Sequence, residues 1–171
     1  MTTKFTDSEE LTANELINFI RSQASALSLV DLNQLVTDLP ALRERFAKIP
    51  FRTYPYLSAE LEFLALSVEE HVVRRSRELE EEVVAEAAFA LLYFQHATDL
   101  IPNAILDMGL LDDAIIVGIV LRRQEQAFKA SAHARMLRWS ESKLEVAELL
   151  SVISPLRVAS FCLSAAIRPA A

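Results

Sequence analysis

Glycine is nearly absent from this 171-residue chain, which contains only two. Sheet proteins join their strands through tight turns that need glycine and asparagine, so this composition argues against a β fold. We also find no convincing alternation of polar and β-branched residues of the kind that marks a strand. Long runs of alanine, leucine, glutamate and arginine, which are good helix formers, instead predict an all-α protein.

Cysteine is almost as scarce, since Cys162 is the only one. A single cysteine excludes an intrachain disulfide and a zinc site built from paired cysteines. The neighbours Phe161 and Leu163 make Cys162 typical of a small buried apolar residue. The N-terminal sequence MTTKFTDSEEL lacks a basic region followed by an apolar one, so we expect no secretory signal. Together these features predict a cytoplasmic protein without a disulfide.

Long uncharged runs are also missing, and none reaches the roughly 20 residues that a membrane-spanning helix needs. One apolar candidate is bracketed by Asp112, Asp113 and Arg122, and Arg157 interrupts the other. The sequence therefore predicts a chain that does not span a membrane.

Negative charge predominates, with a formal net charge of −7 at neutral pH. An acidic chain is poorly suited to a phosphate-binding surface, so we expect no nucleic-acid partner. The basic residues are mostly arginines with an acidic neighbour at helical spacing, as in the pair Glu70 and Arg74. Such pairs are typical of salt-bridged helix faces.

Hydrophobic residues make up 52% of the sequence, more than in an ordinary soluble domain. A chain of this length suits one domain, residues 1–171, which can bury roughly 70% of the surface exposed when it is unfolded. The apolar excess must lie in a core, against a partner or on a membrane surface.

The distribution of capping residues and prolines predicts a compact bundle of about six to eight helices. N-terminal helices are expected over residues 8–48, packing on a core of about residues 83–122. The second of them follows Ser28, and Asp38 followed by Pro40 restarts a short helix. The segment KIPFRTYPYLS, with two prolines and three aromatic residues, is predicted to be a loop.

Residues 58–97 contain neither glycine nor proline, and their apolar residues recur with a helical period. They form either one helix or two. An unbroken helix of this length would exceed the diameter of a globule of this size. We therefore predict a break or bend near Ser76.

A tight helix-turn-helix corner is predicted around residues 98–114, where aspartates, a proline and a glycine interrupt an apolar stretch. Thr98 or Asp99 caps a short helix that has Pro102 in its first turn. Gly109 then ends that helix.

The Asp112–Asp113 pair opens the next helix. One of the two carboxylates is expected to cap it, and the other to lie in its first turn, where the helix dipole favours negative charge. The following pair, Arg122 and Arg123, would satisfy a spare carboxylate.

The alternative role for these acidic residues is a divalent-cation site. His96 and Asp99 lie one helical turn apart, and with Asp112 and Asp113 they would supply the oxygen-rich ligands that hard cations prefer. The spacing matches none of the common metal-binding loops, and carboxylates are frequent at helix starts. Capping and ion pairing therefore explain the residues better, and we predict no cofactor.

The stretch DLIPNAILDMGLLDDAIIVGIVL, residues 99–121, resembles the signature of the YkvA-like family of domains of unknown function. The matching positions are Asp99, Leu100, Ile101, Pro102, Gly109, Leu111, Asp112 and Asp113. The chain departs from the pattern at Asn103, where a second aspartate is usual, which removes one charge from any cation site. The resemblance implies a small helical domain with a core of about residues 83–122, and it implies no established activity.

The leading functional prediction is a non-enzymatic protein-interaction or scaffold module that binds another protein or itself. Its apolar contact surface is expected in the segment LRVASFCLSAAI and in the aromatic loop PFRTYPYL. No Ser-His-Asp order, phosphate loop or paired-cysteine motif indicates an enzyme.

Two alternatives remain open. One is a divalent-metal-dependent hydrolase that uses Asp99, Asp112 and Asp113 as ligands. The other is a peripheral membrane-associated protein whose C-terminal helix brings Arg157 and Arg168 to anionic head groups. The net negative charge counts against the second.

Overall fold

The computed structural model describes residues 13–96 and 110–134, and these two ranges form six helices without a strand. The helices are α1 Ala13–Ser25, α2 Leu29–Phe46, α3 Leu57–Val73, α4 Glu81–Gln95, α5 Leu111–Arg123 and α6 Glu125–Ala134. The prediction of an all-α bundle is confirmed. None of these six helices combines the length and the apolar composition that crossing a membrane requires.

Helix α4 is the centre of the bundle and packs against α1, α2, α3 and α5. Eleven of its fifteen residues are buried, because its sequence is apolar on every side. Phe89 lies at its middle and is fully buried. The ring of Phe89 packs edge-on against Phe19 of α1 at 5.8 Å between centroids, and α1 is thereby joined to the core.

Helix α2 begins after Ser28, as the sequence predicts, and Ser28 forms a capping box at this start. The backbone N–H of Ser28 donates to Oδ2 of Asp31 at 2.7 Å, and the N–H of Asp31 donates to Oγ of Ser28 at 3.3 Å. Two backbone donors that an isolated helix end leaves unpaired are satisfied in this way. The buried face of α2 then begins at Leu32.

Helix α2 continues without interruption through Pro40, so the predicted restart after Asp38 is wrong. Proline inside a helix costs about 3 kcal/mol, since it cannot donate to the preceding turn. Leu35 and Leu39 before it and Leu42 after it are all buried in the same core, and this packing offsets the penalty. Asp38 accepts hydrogen bonds from side-chain amides instead of capping a helix.

The break predicted near Ser76 is confirmed, because α3 ends at Val73 and α4 begins at Glu81. Arg75 turns the chain with a positive φ of 52°, a conformation more often adopted by glycine. The N–H of Ser76 donates back to the carbonyl of Glu70 at 3.2 Å. Leu79 is the buried apolar residue of the connection and holds it against the core.

Removing the capping box is expected to destabilise α2 in a pH-dependent way. Hydrogen bonds from the side chain and then the backbone N–H of Ser28 hold the pKa of Asp31 below its ordinary value. A lowered folded-state pKa stabilises the protein above about pH 4, and this contribution is lost as the pH falls through the folded-state value. Ser28→Ala should lower the free energy of unfolding by about 1 kcal/mol at pH 7.

Urea unfolding of the wild type and of Asp31→Asn, at neutral and at strongly acidic pH, measures this contribution. The two proteins should differ at neutral pH and converge in acid. Glu44→Gln removes the same charge from an exposed position of α2 and serves as the control. An Asp31→Asn effect that is equal at both pH values would contradict the assignment.

Candidate functional site

The Asp-Asp pair of the family-like motif lies in the first turn of α5, and both carboxylates are buried. Asp112 is 3% exposed and Asp113 is 7% exposed. Neither is the cap, because Leu110 occupies that position without a side-chain hydrogen bond to the helix. The expectation that one of them caps α5 is therefore wrong. The helix begins at Leu111, one residue before Asp112, and both acids lie near its positive end, where negative charge is stabilised.

Asp112 is directed towards α4. The buried hydroxyl of Tyr93 donates to Oδ2 of Asp112 at 2.9 Å. A buried carboxylate is costly unless donors reach it, and this phenol supplies one. The contact joins the last turn of α4 to the first turn of α5.

A second buried carboxylate, Glu86, joins the opposite ends of the same two helices. Its side chain is 0% exposed. Arg123 donates to it through Nη2 at 2.9 Å and Nε at 3.3 Å, and Nε2 of Gln124 donates at 3.2 Å. The paired guanidinium contacts match the two carboxylate oxygens, which makes this the strongest ion-pair geometry available to an arginine.

These two contacts show that α4 and α5 are antiparallel. Tyr93 follows Glu86 by two helical turns, whereas Arg123 follows Asp112 by about three. The two separations differ by about one helical turn, and the long side chain of Arg123 covers that distance. Arg123 therefore lies at the far end of α5 from the Asp-Asp pair, and the prediction that it neutralises a spare carboxylate there is wrong.

Glu86 was not singled out from the sequence, although a signal for it exists. It is the one charged residue in VVAEAAFALLYF, residues 83–94, which is otherwise suited to a buried helix. A charge at such a position requires a partner of opposite sign.

The candidate metal ligands are only partly described. Among residues 13–96 and 110–134, no three or more histidine, cysteine or acidic side chains are grouped so that they could hold an ion. His96 is exposed at the end of α4, and Asp99 lies outside the described residues. The other motif positions Pro102, Asn103 and Gly109, and the C-terminal residues Arg157, Cys162 and Arg168, also lie outside them. The complete ligand set stays a prediction.

Apolar side chains are exposed at the turn between α1 and α2. Leu29 is 74% exposed and Val30 is 75% exposed, and we call these two residues the apolar ridge. Both lie in the first turn of α2, ahead of its buried face. The aromatic loop between α2 and α3 also leaves Phe51 75% exposed.

A large cleft of about 750 Å³ lies on one side of the apolar ridge. Leu29 and Leu32 line it together with polar residues of α1, α3 and α4. Arg21 on its wall already faces an acid, since its Nε lies 3.7 Å from Oε1 of Glu82. His71 also lines this cleft, and its Nδ1 is buried without a hydrogen-bond partner in the described part of the chain.

A small cleft of about 480 Å³ lies on the other side of the ridge, between the α1–α2 turn and α4. Its apolar lining consists of Ala26, Leu27, Val30, Phe89 and Leu92, and its polar lining of Gln23, Asp31, Gln34, Asp38, Gln95 and His96. The described lining residues include two aspartates and neither lysine nor arginine. His96 is thus placed in this cleft, and Asp112 and Asp113 are not among the lining residues.

Asp38 is oriented by two neutral amides. Nε2 of Gln34 donates to its Oδ1 at 3.1 Å, and Nε2 of Gln95 donates to its Oδ2 at 2.9 Å. Because Gln95 uses its amino group in this way, its Oε1 stays buried without a donor from the described residues. The cleft therefore offers the carboxylates of Asp31 and Asp38 beside an apolar floor.

Comparison of the chain with family models, with curated proteins and with solved structures finds no match.

Proposed function

We propose that this chain is a non-enzymatic helical module that binds another protein through the surface around the α1–α2 turn. The observation that carries the proposal is the apolar ridge, where Leu29 and Val30 are both about three-quarters exposed between two clefts. Fully burying such a side chain contributes roughly 1.5–3 kcal/mol. An apolar patch with a polar rim is typical of a protein-binding surface.

The geometry of the buried acids supports a role without catalysis. Glu86 is bound by Arg123 and Gln124, and Asp112 accepts a hydrogen bond from Tyr93. These contacts fix α4 against α5, which is a structural task. The YkvA-like resemblance of the α5 motif remains part of this proposal, with the motif as the element that positions α5.

Affinity capture with the full chain tests the proposal. The double variant Leu29→Ser/Val30→Ser should lose a protein that the wild type captures, with at least about a tenfold reduction, since a loss of 1.4 kcal/mol already gives that factor. Phe51→Ser removes an equally exposed apolar side chain at a different place and should retain the captured protein. Circular dichroism checks that all variants keep their helices.

The same capture experiment can also contradict the proposed binding surface. If the double variant retains every protein that the wild type captures, the ridge is not the binding surface. If only Phe51→Ser loses the captured protein, the aromatic loop binds it instead, and the assignment to the α1–α2 turn is wrong.

A further inference from the structure

We infer that the small cleft binds a cationic amphipathic helix of a partner protein, with apolar side chains on the cleft floor and a lysine or arginine at Asp31 and Asp38. The inference rests on the proposed protein-binding function and adds the chemistry of the partner. It follows from the juxtaposition of an apolar floor with acidic groups that have no cation of their own.

The floor determines the apolar half of the partner. Ala26 and Leu27 belong to the turn, Leu92 to α4, and the exposed Val30 forms one edge. A volume of about 480 Å³ lies within the range of pockets that hold a small ligand, which leaves room for a few side chains of a partner. Amphipathic helices dock in such grooves through apolar residues spaced three or four positions apart.

The acidic residues of the small cleft, Asp31 and Asp38, determine the charge of the partner helix. Asp38 accepts hydrogen bonds only from the amides of Gln34 and Gln95, and Asp31 accepts them from Ser28. Neither carboxylate therefore forms an ion pair within the described part of the chain. No described lysine or arginine lines the cleft to neutralise them. The large cleft differs, because Arg21 already lies beside Glu82 there. A positive guest is attracted to the small cleft and a negative one is repelled.

Gln95 adds an independent indication of the guest's polarity. Its Oε1 is a buried acceptor without a donor in the described residues, and its orientation is set by the bond from Nε2 to Asp38. An ammonium or guanidinium group at Asp38 would donate to the carboxylate of Asp38. After a small rotation of the Gln95 amide, the same group would also donate to Oε1 of Gln95. A carboxylate or phosphate guest supplies no such donor. The chemistry therefore selects a basic helix over a nucleic acid or an anionic membrane.

Fluorescence anisotropy with two labelled amphipathic peptides tests the inference on the full chain. The peptides share one leucine face and differ in having lysine or glutamate on the polar face. We expect the lysine peptide to bind at least about tenfold more tightly than the glutamate peptide, with a difference that decreases as salt is added. Asp38→Asn should weaken the lysine peptide several-fold, and Asp31→Asn/Asp38→Asn should weaken it by about tenfold or more.

Two further variants separate local from general effects. Val30→Lys places a positive charge at the exposed edge of the cleft and should abolish binding of the lysine peptide without disturbing the core. Glu44→Gln/Glu80→Gln removes the same formal charge as the double aspartate variant from exposed sites outside the cleft, and it should leave the affinity within about twofold.

Equal affinity for the two peptides, or equal effects of the two double charge variants, would overturn the inference. Dimerisation that Val30→Lys abolishes, with no peptide binding, would assign the cleft to a second copy of the chain and also overturn it. If the lysine peptide fails to bind while Leu29→Ser/Val30→Ser still loses a captured protein, the partner chemistry is wrong and the protein-binding function stands. Failure of both experiments removes both proposals.

Discussion

Replacing Arg123 with methionine is expected to lower the free energy of unfolding by about 3–5 kcal/mol. Glu86 is completely buried, and Arg123 provides two of the three side-chain hydrogen bonds that reach its carboxylate. Without the guanidinium, a buried negative charge keeps only the amide of Gln124. Removing one partner of a buried ion pair costs far more than the pair itself contributes, because the remaining charge is left desolvated.

Denaturant unfolding of a small set of variants measures this effect. Glu86→Leu/Arg123→Met replaces both charges by apolar groups and should recover most of the lost stability. Arg21→Met removes an arginine whose ion pair with Glu82 is 3.7 Å long and more than half exposed on both sides, so its effect should stay below about 1 kcal/mol. A loss for Arg123→Met no larger than for Arg21→Met would show that Glu86 is not held as described.

Truncating Phe89 to alanine is expected to cost a similar amount, about 3–5 kcal/mol. Phe89 is fully buried at the middle of α4, with its ring 5.8 Å from that of Phe19 and 6.1 Å from that of Tyr93. Since α4 contacts four other helices, a cavity at this point removes packing from the centre of the bundle.

The matched control for this variant is Phe51→Ala, which deletes the same atoms from a ring that is 75% exposed. Its effect should lie within about 0.5 kcal/mol, as is usual for surface substitutions. The comparison uses the midpoint and slope of urea unfolding for each protein. If the two phenylalanine variants lost equal stability, Phe89 would not lie in the core.

Local signals in the sequence were sufficient for much of the helical framework. The capping residue Ser28 marked the start of α2, and the polar stretch around Ser76 marked the break between α3 and α4. These features depend on neighbouring residues only. Pro40 is the exception, because the penalty of a proline within a helix is offset by buried leucines whose contacts lie on other helices.

The polar contacts of the candidate sites could not be predicted in the same way. Glu86 and Arg123 are 37 residues apart, and their contact depends on the antiparallel register of α4 and α5. The placement of Asp112 near the start of α5 was predictable, but its bond to Tyr93 depends on that register too. The exposure of Leu29 and Val30 could not be predicted from the sequence either, since apolar residues at the start of a helix are ordinarily expected to face the core.

Site-specific photocrosslinking in living cells shows whether another protein contacts the apolar ridge. A benzophenone amino acid is placed at position 30 of the full chain and, as the control, at the exposed position 44 of the same helix. We expect a light-dependent covalent adduct with another protein at position 30 and none at position 44. Adducts of equal yield at both positions, or none at position 30, would show that the ridge is not a protein-binding surface.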